Sequence, residues 1–531
     1  MSAKVLSLSG LFGLQVLAGC QPSPPAANSA DPPQLRRGLS GEPSSLDPAA
    51  AGDTFSLQVL QDVYEGLTTE SATGAAIPGA ASSWTVDEKG LQYTFRIRAE
   101  ARWSNGKHVR AQDFVTAWRR VVDPKQASPV ADDLRPIAGA TAIMAGQSPP
   151  DILGVRAVTD NVLVVDLEQP APYFPQVLAH PAAFPIFSDA AARTHFGNQW
   201  VSNGPYVLSK WQPGTSIELA LNPTYWDKAN VHIRSVEYQF TPDEGSQYAR
   251  YRAGQIDLTD TVPPNELIAL RAEHSSELVV APFLATAYYG LNLSNEAMGS
   301  SLALRKALAM ARDRGRLVEA LGFGQLGAYG FVAPGTWNYN SQSWAWSTAT
   351  TADRIEQAKR LYAQAGFSPT SPLRIRLLFN TNVSIKRTAI LVAAMWKEVL
   401  GIDTQLTEEE YRVFLQSRHD KSRWDVARLA WNADFNDASN FLDVLRTHSP
   451  NNDMGYANPA FDTLLDQAAA TVNLQKREGL LEAAERLMLD DYSVIPLYYF
   501  VSKRLVKPYV VGIKPTPLDR VPSKSLTIQP H

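Results

Sequence analysis

Apolar and polar positions alternate along this chain with two different periods. Tyr93-Thr94-Phe95-Arg96-Ile97-Arg98 alternates every second residue, as in a half-buried strand. The segment Ala111 to Val122 changes to a helical period, with Phe114, Val115, Trp118 and Val122 on one face. Val162 to Leu167 predicts a strand, and Leu302 to Leu321 a single long Ala/Leu/Arg-rich helix. Ile355 to Ala365 predicts a helix that stops at Gly366, and Ile390 to Leu400 one that stops at Gly401, since glycine readily takes the left-handed conformation after a helix. Leu373 to Phe379 predicts a strand, Asp462 to Asp491 two helices, and Val494 to Val501 an apolar, aromatic run. Strands interleaved with helices predict an α/β or α+β protein with open sheets, and 531 residues are enough for several domains.

The amino terminus is patterned differently. Lys4 precedes a mostly apolar run, Val5 to Ala18, that is too short to span a bilayer but suits the core of a signal peptide. It ends in Leu17-Ala18-Gly19-Cys20, which resembles the bacterial lipoprotein box. That resemblance implies cleavage before Cys20, lipidation of its thiol and anchoring to a membrane from the extracytoplasmic side. Residues 20–37 then predict a proline-rich flexible tether.

Composition excludes several classes. Net charge is −4, with no basic tract to bind nucleic acid. Cys20 is the only cysteine, so neither an internal disulfide nor a cysteine-based metal cluster can form, and the eight histidines lack ligand spacing. Gly322-Phe323-Gly324-Gln325-Leu326-Gly327 matches a dinucleotide fingerprint, but it follows a helix rather than a strand and reads as a helix stop. Asp434-Phe435-Asn436-Asp437 lacks the glycine and distal glutamate of a calcium loop. No nucleophile–base pair or metal set predicts an enzyme, and no cofactor is expected. What remains is Trp431-Asn432-Ala433-Asp434 following a candidate strand on which Val426, Arg428 and Ala430 share a face.

The stretches SSLDP (44–48), WSNGKHVRAQDFVTAWRRVVDP (103–124), SNGPYVLSKW (202–211), NPTYWD (222–227) and DVARLAWNADFND (425–437) resemble the periplasmic oligopeptide-binding proteins of peptide ABC importers, a group within solute-binding protein family 5. The similarity runs from about residue 39 to the carboxyl end. It implies a periplasmic-binding-protein-like fold, with two lobes joined by a hinge, an extra domain and the ligand in the interlobe cleft. The implied division is a discontinuous first domain (38–64, 190–286 and 502–531), an extra domain (65–189) and an opposing lobe (287–501). It further implies that Asp434 holds the peptide's α-ammonium and Arg428 the carboxylate of a short peptide. Backbone at Ala430 and Asn432 would run beside the peptide like an added strand, with Thr54 opposite. Trp431, Tyr411, Tyr499 and Phe500 would line side-chain pockets. The function implied is capture of short peptides by a monomer and delivery to permease and ATPase subunits. The alternatives are a specific scavenger of murein peptides and, in a different class, an envelope chaperone or interaction lipoprotein. The chain departs from close relatives at Gly52, Val130, Ile385 and Phe500.

Overall fold

The computed structural model describes residues 34–187, 200–263 and 266–530. The signal-peptide and Cys20 readings, with most of the tether, lie outside the described residues.

Three larger sheets organise the chain. In the first, Gln34–Leu39 runs parallel to Ser235–Phe240, which continues antiparallel through Ser216–Leu221 to Tyr206–Gln212. The second is an antiparallel set ordered Ala81–Val86, Gln92–Ile97, Val162–Asp166, Val155–Thr159. The helix Ala111–Val122 packs on it through Phe114, Val115 and Trp118, all buried, as their helical spacing predicts. The third sheet has six strands, ordered Leu326–Gly327, Val494–Leu505, Leu278–Leu291, Val426–Asn432, Arg374–Asn380, Asp403–Glu409. Its last three strands are parallel and the others antiparallel. The result is a mixed α/β periplasmic-binding-protein-like architecture.

Two large apolar cores follow from this arrangement. One joins the first two sheets, with Trp103, Trp118 and Tyr238 fully enclosed. The other surrounds the six-stranded sheet, with Trp396 and Trp424 at no measurable exposure. The two strands Leu278–Leu291 and Val494–Leu505 run from the core of the six-stranded sheet to a smaller cluster around Tyr251, Ile256 and Leu505, with Val279 packing against the first core. Their pairing shifts register between Pro282 and Thr286. Proline has no amide hydrogen to donate to a ladder, so an irregularity here follows from the sequence.

Most predicted elements lie where the pattern put them. The helices Thr351–Gln364 and Val383–Leu400 end before Gly366 and Gly401, whose φ angles are +88° and +73°. The expected single helix over Leu302–Leu321 is instead two, Leu302–Met310 and Arg314–Leu321. Asp313 breaks it: its backbone is extended and its carboxylate accepts from the Arg316 amide at 2.9 Å, so it starts a new helix rather than continuing the old one. Arg354 seals the break by donating to the Met310 carbonyl at 2.6 Å.

Candidate functional site

The candidate site begins with a sheet edge. Val426–Asn432 reads VARLAWN, and on one side it pairs along its full length with the strand Leu278–Leu291, from Leu291 opposite Val426 to Ala285 opposite Asn432. On its other side it meets Arg374–Asn380 only at Val426 and Ala427. From Arg428 to Asn432 that second edge is free of strand partners among the described residues. An unpaired edge offers main-chain donors and acceptors to any extended chain laid beside it.

Near both ends of this open edge stands a charge without a salt-bridge partner among the described residues. Arg428 is buried, and its Nη2 donates to the Tyr498 hydroxyl at 3.3 Å. Its Nε has no hydrogen-bond acceptor, and no carboxylate among the described residues pairs with it. A buried guanidinium held only by a phenol is costly unless an anion arrives. At the other end, Asp434 faces a cavity of about 640 Å³. Its only side-chain partner among the described residues is Asn440, whose Nδ2 lies 3.4 Å from Oδ2. Desolvation raises the pKa of this carboxyl above the ordinary aspartate value, and the negative charge of Asp133 across the cavity adds to the effect. Asn440 and His180 oppose the shift.

Asn440 was not singled out in the sequence. Its Oδ1 accepts from the Trp431 indole at 2.8 Å and from the Asp434 amide at 3.3 Å, so one amide fixes both residues. Asn440 is set in the short helix Ala438–Leu442, which Asp437 caps by accepting from the Ser439 amide. Asp437 also forms a bidentate pair with Arg477, both bonds 2.7 Å, with both side chains nearly inaccessible. Asn436 ties this segment to a distant part of the chain, donating to the Gly74 carbonyl at 3.1 Å while accepting from the Trp337 amide at 2.7 Å. The segment 434–437 therefore serves as a structural corner. The weak sequence signal for it was the spacing of Asp437 before the helix.

The remaining predicted residues are dispersed. Trp431 and Asp434 line the cavity together with Tyr173, whose ring stacks on Phe435 at 4.7 Å and 9°. Ala430 and Asn432 are exposed on the free edge. Tyr499 is buried, and its hydroxyl donates to the Gly330 carbonyl at 3.0 Å while accepting from that residue's amide at 3.2 Å. Phe500 is half-buried, edge-on to Tyr498. Thr54 is exposed at the start of the helix Thr54–Val63, which Asp53 caps. Tyr411 is exposed at the start of Tyr411–Ser417. None of these four lines the 640 Å³ cavity.

Comparison with known proteins fits this geometry. The chain is 36% identical over 520 residues to the periplasmic oligopeptide-binding protein OppA of Escherichia coli (strain K12), covering 96% of this chain and 95% of that protein. It is 33% identical over 517 residues to the probable deoxycholate-binding periplasmic protein YgiS of the same organism, covering 96% of each. Among solved structures, the unliganded open form of the periplasmic murein tripeptide-binding protein MppA superposes with a TM-score of 0.88 at 33% identity, covering 94% of this chain and 98% of that one. A second structure of MppA, from Escherichia coli, gives a TM-score of 0.76 at the same identity. The profile of the bacterial extracellular solute-binding proteins, family 5, matches residues 75–453, and the chain belongs to that family of binding proteins.

Proposed function

We propose that this protein captures short peptides in the periplasm and delivers them to an ABC importer made of permease and ATPase subunits, working as a monomer anchored by lipid at Cys20. The observation that carries the reading is the open edge of Val426–Asn432, with a lone cation near one end and a lone carboxylate just beyond the other. Free termini are the charges every linear peptide shares. Asp434 suits an α-ammonium, and the planar fork of Arg428 suits a terminal carboxylate. Between them the main chain at Ala430 and Asn432 pairs with peptide backbone whatever the side chains. Trp431 contributes to the cavity wall, while Tyr411, Tyr499, Phe500 and Thr54 lie away from that cavity and meet the ligand's side chains only when the lobes close. Closure turns about the irregular pairing at Pro282–Thr286, and ligand favours the closed state by touching both lobes. The body is divided into a discontinuous domain (38–64, 190–286 and 502–531), an extra domain (65–189) and an opposing lobe (287–501).

Native mass spectrometry of the soluble body, beginning after Cys20, tests this. The expected result is a set of co-purified short peptides that disappears in Asp434→Asn. One dominant murein peptide would keep the terminus chemistry but narrow the role to scavenging. A non-peptide ligand, retained in Asp434→Asn, would overturn the reading.

A further inference from the structure

The charges around the 640 Å³ cavity do not balance. Six carboxylates and three arginines line it. All three arginines are already engaged. Arg135 pairs with Asp132. Arg446 bonds Asp443 and Asp466, each at 2.6 Å. Arg477 is locked to Asp437 behind the wall. Asp133, Glu168 and Asp434 are left without a lysine or arginine partner among the described residues. Glu168 accepts from the Gly139 amide at 3.1 Å and is otherwise exposed. The α-ammonium proposed above neutralises Asp434. Asp133 and Glu168 are then the anions left on the facing wall, and of the two only Asp133 is half-buried.

Asp133 is held in place. It is half-buried on the short helical turn Ala131–Leu134, and its Oδ2 lies 3.0 Å from Nδ1 of His180, which is buried. That nitrogen also accepts from the Ala182 amide at 3.3 Å, so the chain fixes the ring beside Asp133, whose carboxylate lines the cavity. Tyr173, Trp431 and Phe435 also line this space and offer apolar surface along which the methylene stem of a long cationic side chain can lie. No group of three metal-ligating side chains is found among the described residues.

We propose that Asp133 is a specificity residue, selecting peptides whose first residue carries a cationic side chain. The inference rests on the peptide reading. With the α-ammonium at Asp434, the first side chain enters the cavity whose opposite wall holds Asp133. Two positive charges about one side-chain length apart then meet two carboxylates on opposite walls, so such a ligand also draws the walls together.

Isothermal titration of Lys-Ala-Ala against norleucine-Ala-Ala tests this at low salt and about pH 7, where the peptide α-amine is mostly protonated. The two peptides differ in charge but hardly in length. The wild type is expected to prefer the lysine peptide by about tenfold, and the preference should shrink as salt is added. In Asp133→Asn it should fall below about twofold while norleucine-Ala-Ala binds as before, which also shows that the variant is folded. Asp133→Lys should reverse the order and favour Glu-Ala-Ala over Lys-Ala-Ala. Equal binding of both peptides by the wild type, or a lysine preference that survives Asp133→Asn, would overturn the role of Asp133 and leave the peptide reading standing. Failure of every peptide to bind the wild type would overturn both.

Discussion

Asp434 and Asp437 are three residues apart and have opposite surroundings. Asp437 is sealed against Arg477 by two hydrogen bonds of 2.7 Å, with neither side chain accessible. Asp434 is exposed on the wall of a cavity, with one amide at 3.4 Å and no lysine or arginine partner among the described residues. Arg428 resembles Asp434 in this respect: it is a buried base with no acidic partner among the described residues. A charge satisfied by the chain itself contributes to structure, and it leaves nothing for a ligand. A charge left unsatisfied in an enclosed place costs stability, and a ligand that meets it recovers that cost on binding.

Breaking the paired charge gives the largest effect. Asp437→Asn strands Arg477 in the interior and should cost about 3–5 kcal/mol of stability in urea unfolding. The folded fraction should bind peptide at close to wild-type affinity. Asp434→Asn should show the reverse. Stability should be unchanged or slightly higher, while calorimetry should record a loss of about 2–4 kcal/mol in peptide binding. If both substitutions lowered stability alike, the contrast between the two aspartates would be lost.

Two smaller effects sharpen the comparison through pH. The Asp434 carboxyl is pushed up by desolvation and by Asp133, and an ammonium can be held only by its ionised form. Affinity should be flat above its raised pKa and fall as pH drops through it, and Asp434→Asn should abolish this dependence. Titrations at about pH 7 and about pH 4.5 would show it. Glu485 is the structural counterpart, fully buried and pushed up to about 7 by desolvation. It accepts from the amides of Phe331 and Val332 at 2.6 and 2.9 Å and from the Tyr339 hydroxyl. Its folded pKa lies above the ordinary 4.5, so the folded state holds a proton that the unfolded state has released. Its contribution is full below about 4.5 and fades as pH rises toward 7, by about 1–3 kcal/mol. Glu485→Gln should flatten that slope in urea melts without changing peptide affinity.

The sequence made the elements with strong periodicity legible. Trp118 and its helical neighbours announced a buried face, and Gly366 and Gly401 announced helix ends. The break at Asp313 was hidden because Ala, Leu and Arg favour helix on both sides, and only the cap geometry separates them. At the candidate site, Arg428 and Asp434 stood out as charges beside an apolar strand. Asn440 and Asp133 did not, for different reasons. Asn440 acts through two hydrogen bonds formed only after the chain turns at Asp437. Asp133 faces Asp434 from more than 300 positions earlier in the chain, and no local pattern connects the two.

The free edge of Val426–Asn432 has one more consequence. A long exposed sheet edge is normally a hazard, since it templates association with any other chain. Here the end of the edge, at Trp431, opens on a cavity whose far wall includes residues 132–177, and Tyr173 stacked on Phe435 bridges the two sides. The recess works as a sieve. A folded protein brings its strands already paired and too broad to enter, whereas a short unfolded chain brings a spare edge of its own and fits. Under the peptide reading proposed above, the recess turns an aggregation-prone feature into a filter for unstructured chains, and removing the far wall should leave an edge free to pair with other chains.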